Sequence, residues 1–341
     1  MVQIQTLGLI VNPLAGFGAT ANFDLARKAV QNLGVRKVIT GSGSLGELAI
    51  SGFPIELVVH KVSSKPSRNQ TIELAEYLVD HDLDAIMVVG GDGTMADASF
   101  VLSKANKIPP LLGIGAGSTN AGALVTCKVD QIDFLIPNNL TIVPVDALLA
   151  FAGSDQIGIG FNDCVLGYTV VATMDGTLRN VSVAGKMAGN NILSTPTSIG
   201  LPETSVYKVD RRNNQLIVSG EEVGTVVIGF AEPNFIAKAI TGGVCLTSFS
   251  GLKAGCLVAS LPLVQVELSA DEVINLPVIR SSYLSLRKNE RIVVSGVREG
   301  TGLCVDGTPL RLLSPSDVVS FELRSNAINS IKINPMLKGA Q

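Results

Sequence analysis

The sequence has no tryptophan, few other aromatic residues and few charged ones. Aromatic residues make up 4% of its 341 residues and charged residues 16%, whereas hydrophobic residues make up 46%. An apolar content this high excludes a disordered chain. The formal net charge of −3 argues against a nucleic acid bound by bulk attraction. The length predicts two domains, or one large domain with an ample core.

Cysteine and histidine are too sparse for a zinc site. The five cysteines include no C-x-x-C pair, and the two histidines, His60 and His81, lie apart from them. The odd cysteine count and the lack of a signal peptide predict reduced thiols and a cytoplasmic protein. Charge or glycine interrupts every long apolar stretch, so we expect no transmembrane span and no stable membrane insertion.

Two familiar nucleotide-handling motifs are also missing. The chain has no G-x-x-x-x-G-K-[ST] loop and no H-R-D signature. These absences exclude a P-loop enzyme and a protein kinase.

The stretch around which the chain is organised is an apolar run that ends in glycine. Ala85 to Val89 is uninterrupted and leads into Gly90-Gly91-Asp92-Gly93-Thr94. Such a run predicts a strand buried on both faces of a parallel sheet. The glycines let the backbone approach a ligand, and Thr94 is expected to cap the next helix, whose N-terminus favours phosphate. The alternative is an ordinary strand-to-helix turn with a capping aspartate.

Strands and helices alternate over the first part of the chain, which predicts a doubly wound parallel sheet. Ligands of such sheets collect at the carboxyl ends of the strands. Three strands end in polar, glycine-rich turns, at residues 12–18, 90–94 and 115–120. We therefore expect one phosphate-facing edge that is built from all three turns.

The second part of the chain is rich in short β-type runs separated by turn signals. This pattern is typical of an antiparallel sandwich or meander. The sequence thus predicts an α/β nucleotide-binding domain over residues 1–127 and a β-rich domain over residues 128–341 that completes the cleft.

Several polar or glycine residues qualify as contacts for a nucleotide, each with a structural alternative. Asp92 can act as a general base, a metal-associated carboxylate or a helix cap. Ser118, Thr119 and Asn120 can donate to phosphate or cap a helix. Asn162 and Asp163 can bind a nucleoside hydroxyl or form an Asx turn. Gly242 and Gly243 can admit a ligand or form a bulge.

Together these motifs resemble those of the ATP-NAD kinase and diacylglycerol kinase superfamily. The segments that carry the resemblance are Leu9 to Gly16 with its asparagine-proline turn, Gly90 to Thr94, and Leu111 to Gly117. Within the superfamily the chain looks closest to ATP-NAD kinase-like proteins of the AcoX type. The resemblance covers the first domain well and the second loosely.

The resemblance implies an α/β N-terminal domain, an all-β C-terminal domain and a nucleotide site between them. It implies ATP and Mg²⁺ as cofactors, Asp92 as the catalytic residue, and Gly90, Gly91, Gly93 and Thr94 as the phosphate-binding turn. Asn162-Asp163 is similar to the Asn-Glu motif of NAD kinases, Gly242-Gly243 to the end of their glycine-rich segment, and Asp306-Gly307 to a late Asp-Gly turn. The cofactor-binding residues expected in all are Asn12, Gly90, Gly91, Gly93, Thr94, Gly117, Ser118, Thr119, Asn120, Asn162, Asp163, Gly242 and Gly243, and no metal ligands are assigned.

The Thr-Pro-Thr-Gly-Ser-Thr run of NAD kinases is matched only in part, by Ser194 to Ile199. NAD as the acceptor is therefore less well supported than ATP as the donor. The expected activity is transfer of a phosphoryl group to a hydroxyl of NAD or a related small molecule. A nucleotide-binding protein without catalysis and a lipid kinase are the alternatives, and a homo-oligomer is expected by analogy.

Overall fold

A computed structural model gives the architecture. It describes residues 2–16, 18–65, 67–117, 120, 122–174, 177–231, 252–263, 265–266, 269–275 and 277–334. Within those ranges no helix has both the length and the apolar character needed to cross a membrane.

The chain forms two compact units. Unit 1 comprises Met1–Ala147 and Ser325–Gln341, and unit 2 comprises Leu148–Arg324. This division comes later than the boundary expected near residue 127, and the chain end returns to unit 1. The reason lies in pairing: the strand that follows residue 139 pairs with the last strand of the chain, and the Asn326 N–H donates to Asp146 Oδ1 at 2.9 Å.

Unit 1 alternates strands with helices. Its elements are β1 (Thr6–Val11), α1 (Ala19–Leu33), β2 (Lys37–Gly41), α2 (Glu47–Ile50), β3 (Glu56–His60), α3 (Arg68–Val79), β4 (Ala85–Gly90), α4 (Asp92–Leu102), β5 (Leu111–Gly115), β6 (Val125–Lys128), and parts of β7 (Leu140–Ala152) and β20 (Val318–Ile333). Short 3₁₀ helices span Gly43–Leu45, Val129–Phe134 and Pro137–Asn139.

The sheet of unit 1 is parallel, in the order β3-β2-β1-β4-β5-β6. Helix α1 packs its buried residues Ala26 and Ala29 with Leu9 on one face. On the other face the Cα of Gly8 approaches Leu78 of α3 so closely that a Cβ would lie 3.2 Å from it. The predicted doubly wound α/β domain is confirmed. Its strand order reverses between β1 and β4, which is where such sheets bind ligands.

Unit 2 is built almost entirely of strands. Besides the remaining parts of β7 and β20 it contains β8 (Asp155–Gly160), β9 (Asp163–Gly167), β10 (Thr169–Met174), β11 (Thr177–Ser182), α5 (Val183–Met187), β12 (Ser205–Val209), β13 (Asn214–Ser219), β14 (Thr225–Phe230), β15 (Ala254–Ala259), α6 (Ala270–Ile274), β16 (Ser281–Leu286), β17 (Arg291–Ser295), β18 (Thr301–Val305) and β19 (Thr308–Leu313). A 3₁₀ turn spans Gly220–Glu222.

The strands of unit 2 pair antiparallel. One sheet has the order β16-β15-β14-β9-β18-β19, a second set runs β13-β12-β17-β20, and β10 and β11 form a hairpin. Alternate residues of both sets, such as Val226, Val294 and Phe321, share one buried core. The expected all-β C-terminal region is confirmed.

Some strand limits differ from those the sequence suggests. The apolar run at residues 165–173 is broken by a bend at Tyr168 into β9 and β10. Conversely, the two strands expected at 317–323 and 330–333 are one strand, β20. The polar residues between them look like a turn, and Asn326 does adopt a φ of 52°, yet the strand continues through it.

Candidate functional site

The three glycine-rich turns of unit 1 meet at one edge of the sheet. The backbone N–H of Asn12, just after β1, donates to Val89 O of β4 at 2.9 Å. The N–H of Ala116, just after β5, donates to Gly90 O at 2.8 Å. Because β4 lies between β1 and β5, these two hydrogen bonds align the carboxyl ends of all three strands. The edge they form lies at the reversal of strand order.

The turn after β1 is closed by two asparagines. Asn12 Oδ1 accepts from the Leu14 N–H at 2.9 Å, which is an Asx turn. Fully buried Asn22 of α1 donates through Nδ2 to Asn12 O at 2.9 Å and to Ala15 O at 3.0 Å. Asn22 is not among the residues expected from the sequence. Its position as a polar residue on the apolar face of an amphipathic helix is the signal that could have identified it.

The turns pack backbone against backbone, because glycine leaves no side chain between them. A Cβ on Gly117 would lie 2.8 Å from Gly91 Cα. Gly16 has a φ of 40°, and a Cβ there would lie only 1.9 Å from Ala116 O. The turn after β1 therefore reaches past the end of β4 to contact the turn after β5. Backbone this bare can also come close to a phosphate.

Helix α4 begins at Asp92, one turn earlier than expected, and its N-cap is Gly91. The prediction that Thr94 caps this helix is therefore wrong. Thr94 lies in the first turn and is buried, and its hydroxyl accepts a 2.9 Å hydrogen bond from Asn12 Nδ2. The glycine cap lets the helix start directly at the strand end, so its N–H groups and partial positive charge lie at the sheet edge.

Asp92 is half-buried at the first position of α4. Its Oδ1 accepts from the Gly122 N–H at 3.0 Å. A Cβ on Gly122 would lie 2.7 Å from that same oxygen, so a larger residue would displace the carboxylate. Gly122 is not among the residues expected from the sequence, because a backbone donor leaves no side-chain signal.

Asn120 shapes the turn that carries Gly117. Its Oδ1 accepts from the Gly117 N–H at 2.8 Å and its Nδ2 donates to Gly117 O at 2.6 Å. Its φ is 49°, a left-handed conformation that asparagine tolerates. Asn120 thus stabilises a turn, which is neither of the two roles expected for it, and its role in binding stays a prediction.

A partly buried ion pair joins α4 to α3. Arg68 donates from Nε and Nη2 to Asp97 Oδ1 at 3.0 and 2.7 Å. Burial raises the pKa of Asp97, and the positive charge and hydrogen bonds of Arg68 oppose that rise. This pair links the helix that carries Asp92 to α3, and no sequence pattern indicates it.

In unit 2, the predicted residues Asn162 and Asp163 lie at the turn between β8 and β9. One partly buried carboxylate, that of Asp306, accepts hydrogen bonds from the backbone N–H groups of Phe161, Asn162 and Asp163 at 2.8, 2.8 and 3.0 Å. In return, the Asp306 N–H donates to Asp163 O at 2.9 Å. The Asp306-Gly307 hairpin turn thereby determines the backbone shape of the Asn162-Asp163 motif.

The pKa of Asp306 is raised above the usual value for an aspartate. Burial and then the charge of Asp163 raise the pKa of Asp306 to about 7, against the opposing effect of its three backbone donors. The φ values of 47° at Asp306 and 74° at Gly307 are those of a tight hairpin turn.

Four predicted site residues, Ser118, Thr119, Gly242 and Gly243, lie outside the described residues. Among the residues that are described, no group of three or more His, Cys, Asp or Glu side chains could hold a metal ion. Asp92 is accordingly the carboxylate that the unit 1 edge offers, without a preformed metal cage.

The chain is similar in sequence to one known family and to one protein of known source. The family model for the ATP-NAD kinase N-terminal domain matches residues 7–138. An uncharacterised protein of Archaeoglobus fulgidus is 29% identical over 248 residues, which cover 72% of this chain and 74% of that protein.

Two solved structures share the fold over nearly the whole chain. A diacylglycerol kinase from Bacillus anthracis has a TM-score of 0.51 at 16% identity and covers 98% of this chain and 99% of its own. Yeast NADH kinase complexed with NADH has a TM-score of 0.51 at 14% identity and covers 97% of this chain and 84% of its own. These neighbours show a shared fold, and the family match supports a kinase-type function.

Proposed function

We propose that the chain is a member of the ATP-NAD kinase and diacylglycerol kinase superfamily and an ATP- and Mg²⁺-dependent kinase that phosphorylates a hydroxyl of NAD or a related small molecule. The observation that carries the proposal is the meeting of three bare backbone turns beside Asp92. The remaining steps follow from the contacts of those turns.

The unit 1 edge fits a polyphosphate. An α-helix leaves its first N–H groups without partners one turn earlier in the helix, and its dipole favours negative charge at that end. Gly91 and Gly117 let the turns after β4 and β5 pack closely beside that helix end, because no side chain projects from either residue. Asn12 and Thr94 hold the adjoining turns together at 2.9 Å. We propose that the phosphates of ATP lie against these turns.

The donor set also fits Mg²⁺. This cation is usually held by one or two carboxylates together with substrate phosphates and water, so it needs no protein cage. Asp92 supplies one carboxylate at the edge of the turns. When bound, Mg²⁺ would neutralise the charge that develops on the phosphates.

Asp92 is the residue we propose to engage the acceptor hydroxyl. Phosphoryl transfer depends mainly on positioning, with one carboxylate to accept the proton of the attacking hydroxyl. The Gly122 N–H holds Oδ1 of Asp92, which restricts the rotation of the carboxylate. In unit 2 we propose the Asn162-Asp163 turn as a contact for the acceptor, because Asp306 gives it one fixed backbone shape.

Two features outside the site enter the same proposal. The described Cys164, Cys256 and Cys304 are buried free thiols, which supports a reducing compartment such as the cytoplasm. A homo-oligomer is proposed by analogy with the superfamily and is open to direct mass measurement.

A turnover assay tests the function. The full chain is incubated with ATP and Mg²⁺ and with NAD, NADH, nucleosides, polyols or dispersed diacylglycerol, and ADP release is recorded. We expect acceptor-dependent ADP release that Asp92→Asn abolishes and that Asp155→Asn, at an exposed aspartate, preserves. Release on the lipid alone would favour a lipid kinase. Tight ATP binding without release on any acceptor would favour a nucleotide-binding protein.

A further inference from the structure

Strand β20 contacts the loop whose Gly122 N–H donates to Asp92. Lys332, in the last strand of unit 1, directs its Nζ at the backbone carbonyls of Ala123 and Val125, the latter at 2.8 Å. Those two residues directly follow Gly122, whose N–H donates to Asp92 Oδ1. One ammonium group therefore binds both ends of the short segment that follows the donor.

A second anchor lies next to the first. The Thr126 hydroxyl donates to Ile331 O at 2.6 Å and accepts from the Gly113 N–H at 2.9 Å. The pairing of β5 with β6 shifts register at this point, so the Thr126 side chain takes the place of a backbone acceptor for Gly113. Two neighbouring residues of β20, Ile331 and Lys332, thus both bind the segment that follows Gly122.

The loop has little freedom to relax once it is held. A Cβ on Gly113 would lie 2.4 Å from Leu124 O and 2.6 Å from the sulfur of Met95, a residue of α4. The segment from Gly122 to Val125 is therefore packed tightly over β5 and against the helix that begins with Asp92. A shift of the segment moves the Gly122 N–H with respect to the carboxylate.

We propose that Lys332 is a positioning residue for Asp92, acting through the Ala123 and Val125 carbonyls and the Gly122 N–H. Its effect on catalysis rests on the proposed function, whereas its effect on the Gly122 hydrogen bond does not. Lys332 touches neither the proposed donor nor the acceptor. It orders the loop that sets the direction of the Asp92 carboxylate, and misplacement of a reacting group by about 1 Å can cost roughly 100-fold in rate.

The test uses three lysine variants of the full chain. Lys332→Met removes the ammonium group and keeps the apolar stem, and Lys332→Arg keeps the donors. Lys37→Met is the matched control, since Lys37 lies at the first residue of β2 and pairs with Glu56 at 2.8 Å. The Gly122 amide is followed in proton–nitrogen spectra of protein labelled with nitrogen-15 glycine, and Asp92→Asn gives the reference position without a carboxylate.

In Lys332→Met we expect the Gly122 amide signal to move toward its position in Asp92→Asn, and kcat to fall by about 10- to 100-fold with a smaller change in KM for ATP. Lys332→Arg recovers most of both, and Lys37→Met matches the unsubstituted protein. An unmoved Gly122 signal in Lys332→Met, or equal losses in Lys332→Met and Lys332→Arg, would overturn the inference.

The two proposals fail separately. If no acceptor is turned over, the kinase proposal fails, and the amide signal still decides whether Lys332 orders the donor to Asp92. Should Lys332→Met not fold, Lys332→Gln replaces it, because its single amide group can still donate to one carbonyl. Its Gly122 signal is then expected between those of the unsubstituted protein and Asp92→Asn, and an unmoved signal contradicts the inference.

Discussion

The side-chain amide of Asn12 donates a 2.9 Å hydrogen bond to the hydroxyl of Thr94, across the point where the strand order of the sheet reverses. This bond joins the turn after β1 to the first turn of α4. Asn12 also closes its own turn by accepting from Leu14. One residue thus fixes two of the three turns that form the proposed phosphate site.

Replacement of Asn12 tests this linkage. Asn12→Ala removes both hydrogen bonds, and we expect it to weaken ATP binding and to lower the free energy of unfolding by about 1–3 kcal/mol. Asn139→Ala is the matched control, because it loses one bond, to Phe134 O at 3.1 Å, outside the three turns. Calorimetric titration with ATP and urea unfolding measure both effects. Equal ATP affinity in the two variants would count against the linkage.

A glycine pair separates steric contact from backbone strain. Gly16 and Gly34 both have positive φ values, but only Gly16 has a backbone atom where a Cβ would go. We therefore expect Gly16→Ala to cost about 1–3 kcal/mol more stability than Gly34→Ala. Denaturant unfolding of both variants measures the difference. Similar losses would mean that the turns after β1 and β5 are not in contact.

For the Arg68–Asp97 pair we expect that the effects of the two single substitutions on the free energy of unfolding are not additive. Arg68→Met leaves a buried carboxylate without its cation and is expected to cost about 3–5 kcal/mol at neutral pH. The raised pKa of Asp97 sets the sign of the pH effect, because a protonated Asp97 needs no cation. The variant should therefore regain stability as the pH falls.

A double-mutant cycle checks that account of the pair. Adding Asp97→Asn to Arg68→Met removes the uncompensated charge, so the double variant is expected to be more stable than Arg68→Met alone at neutral pH. Additive losses would contradict it.

How much of this site follows from sequence depends on the kind of contact. The buried strand β4 and the convergence of the three turns follow from apolar runs and glycine, because parallel strands place their carboxyl ends together. The early start of α4 at Asp92 does not follow from the sequence, because a glycine N-cap has no side chain that could be recognised. The Asp92–Gly122 bond depends on a backbone donor, and the Lys332 contacts join residues that the sequence separates by most of the chain. Such contacts leave no local pattern in the sequence and are therefore not predicted from it.

Domain limits show the same distinction. The change from helical to β-type patterns near residue 127 marks where α-helices end, but the first unit continues to Ala147. Strand β7 pairs with β20, and a strand at the end of the chain cannot be assigned to the first unit by local pattern alone.

Asp306 predicts a pH dependence of stability. Its pKa is about 7 in the folded chain, against about 3.9 for an unfolded aspartate. The folded state therefore binds the extra proton between these values, so this contribution is complete below pH 4 and is lost as the pH rises to 7. Its slope is at most about 1.4 kcal/mol per pH unit.

Asp306→Asn is the variant that isolates this slope, because asparagine keeps acceptor capacity and tolerates the positive φ. The free energy of unfolding is measured from pH 4.5 to pH 7.5 by urea titration. Relative to the variant, the unsubstituted protein should lose stability as the pH rises. Parallel curves for the two proteins would refute the assignment of this proton to Asp306.

The central claim is that the turns after β1, β4 and β5 form one polyphosphate site beside Asp92. A crystal structure of the full chain with a non-hydrolysable ATP analogue and Mg²⁺ tests it most directly. The account predicts phosphate oxygens against the backbone of Gly91, Gly93 and Gly117, with the Asp92 carboxylate facing the terminal phosphate. Phosphates bound away from these turns, or an Asp92 carboxylate turned away from them, would contradict it.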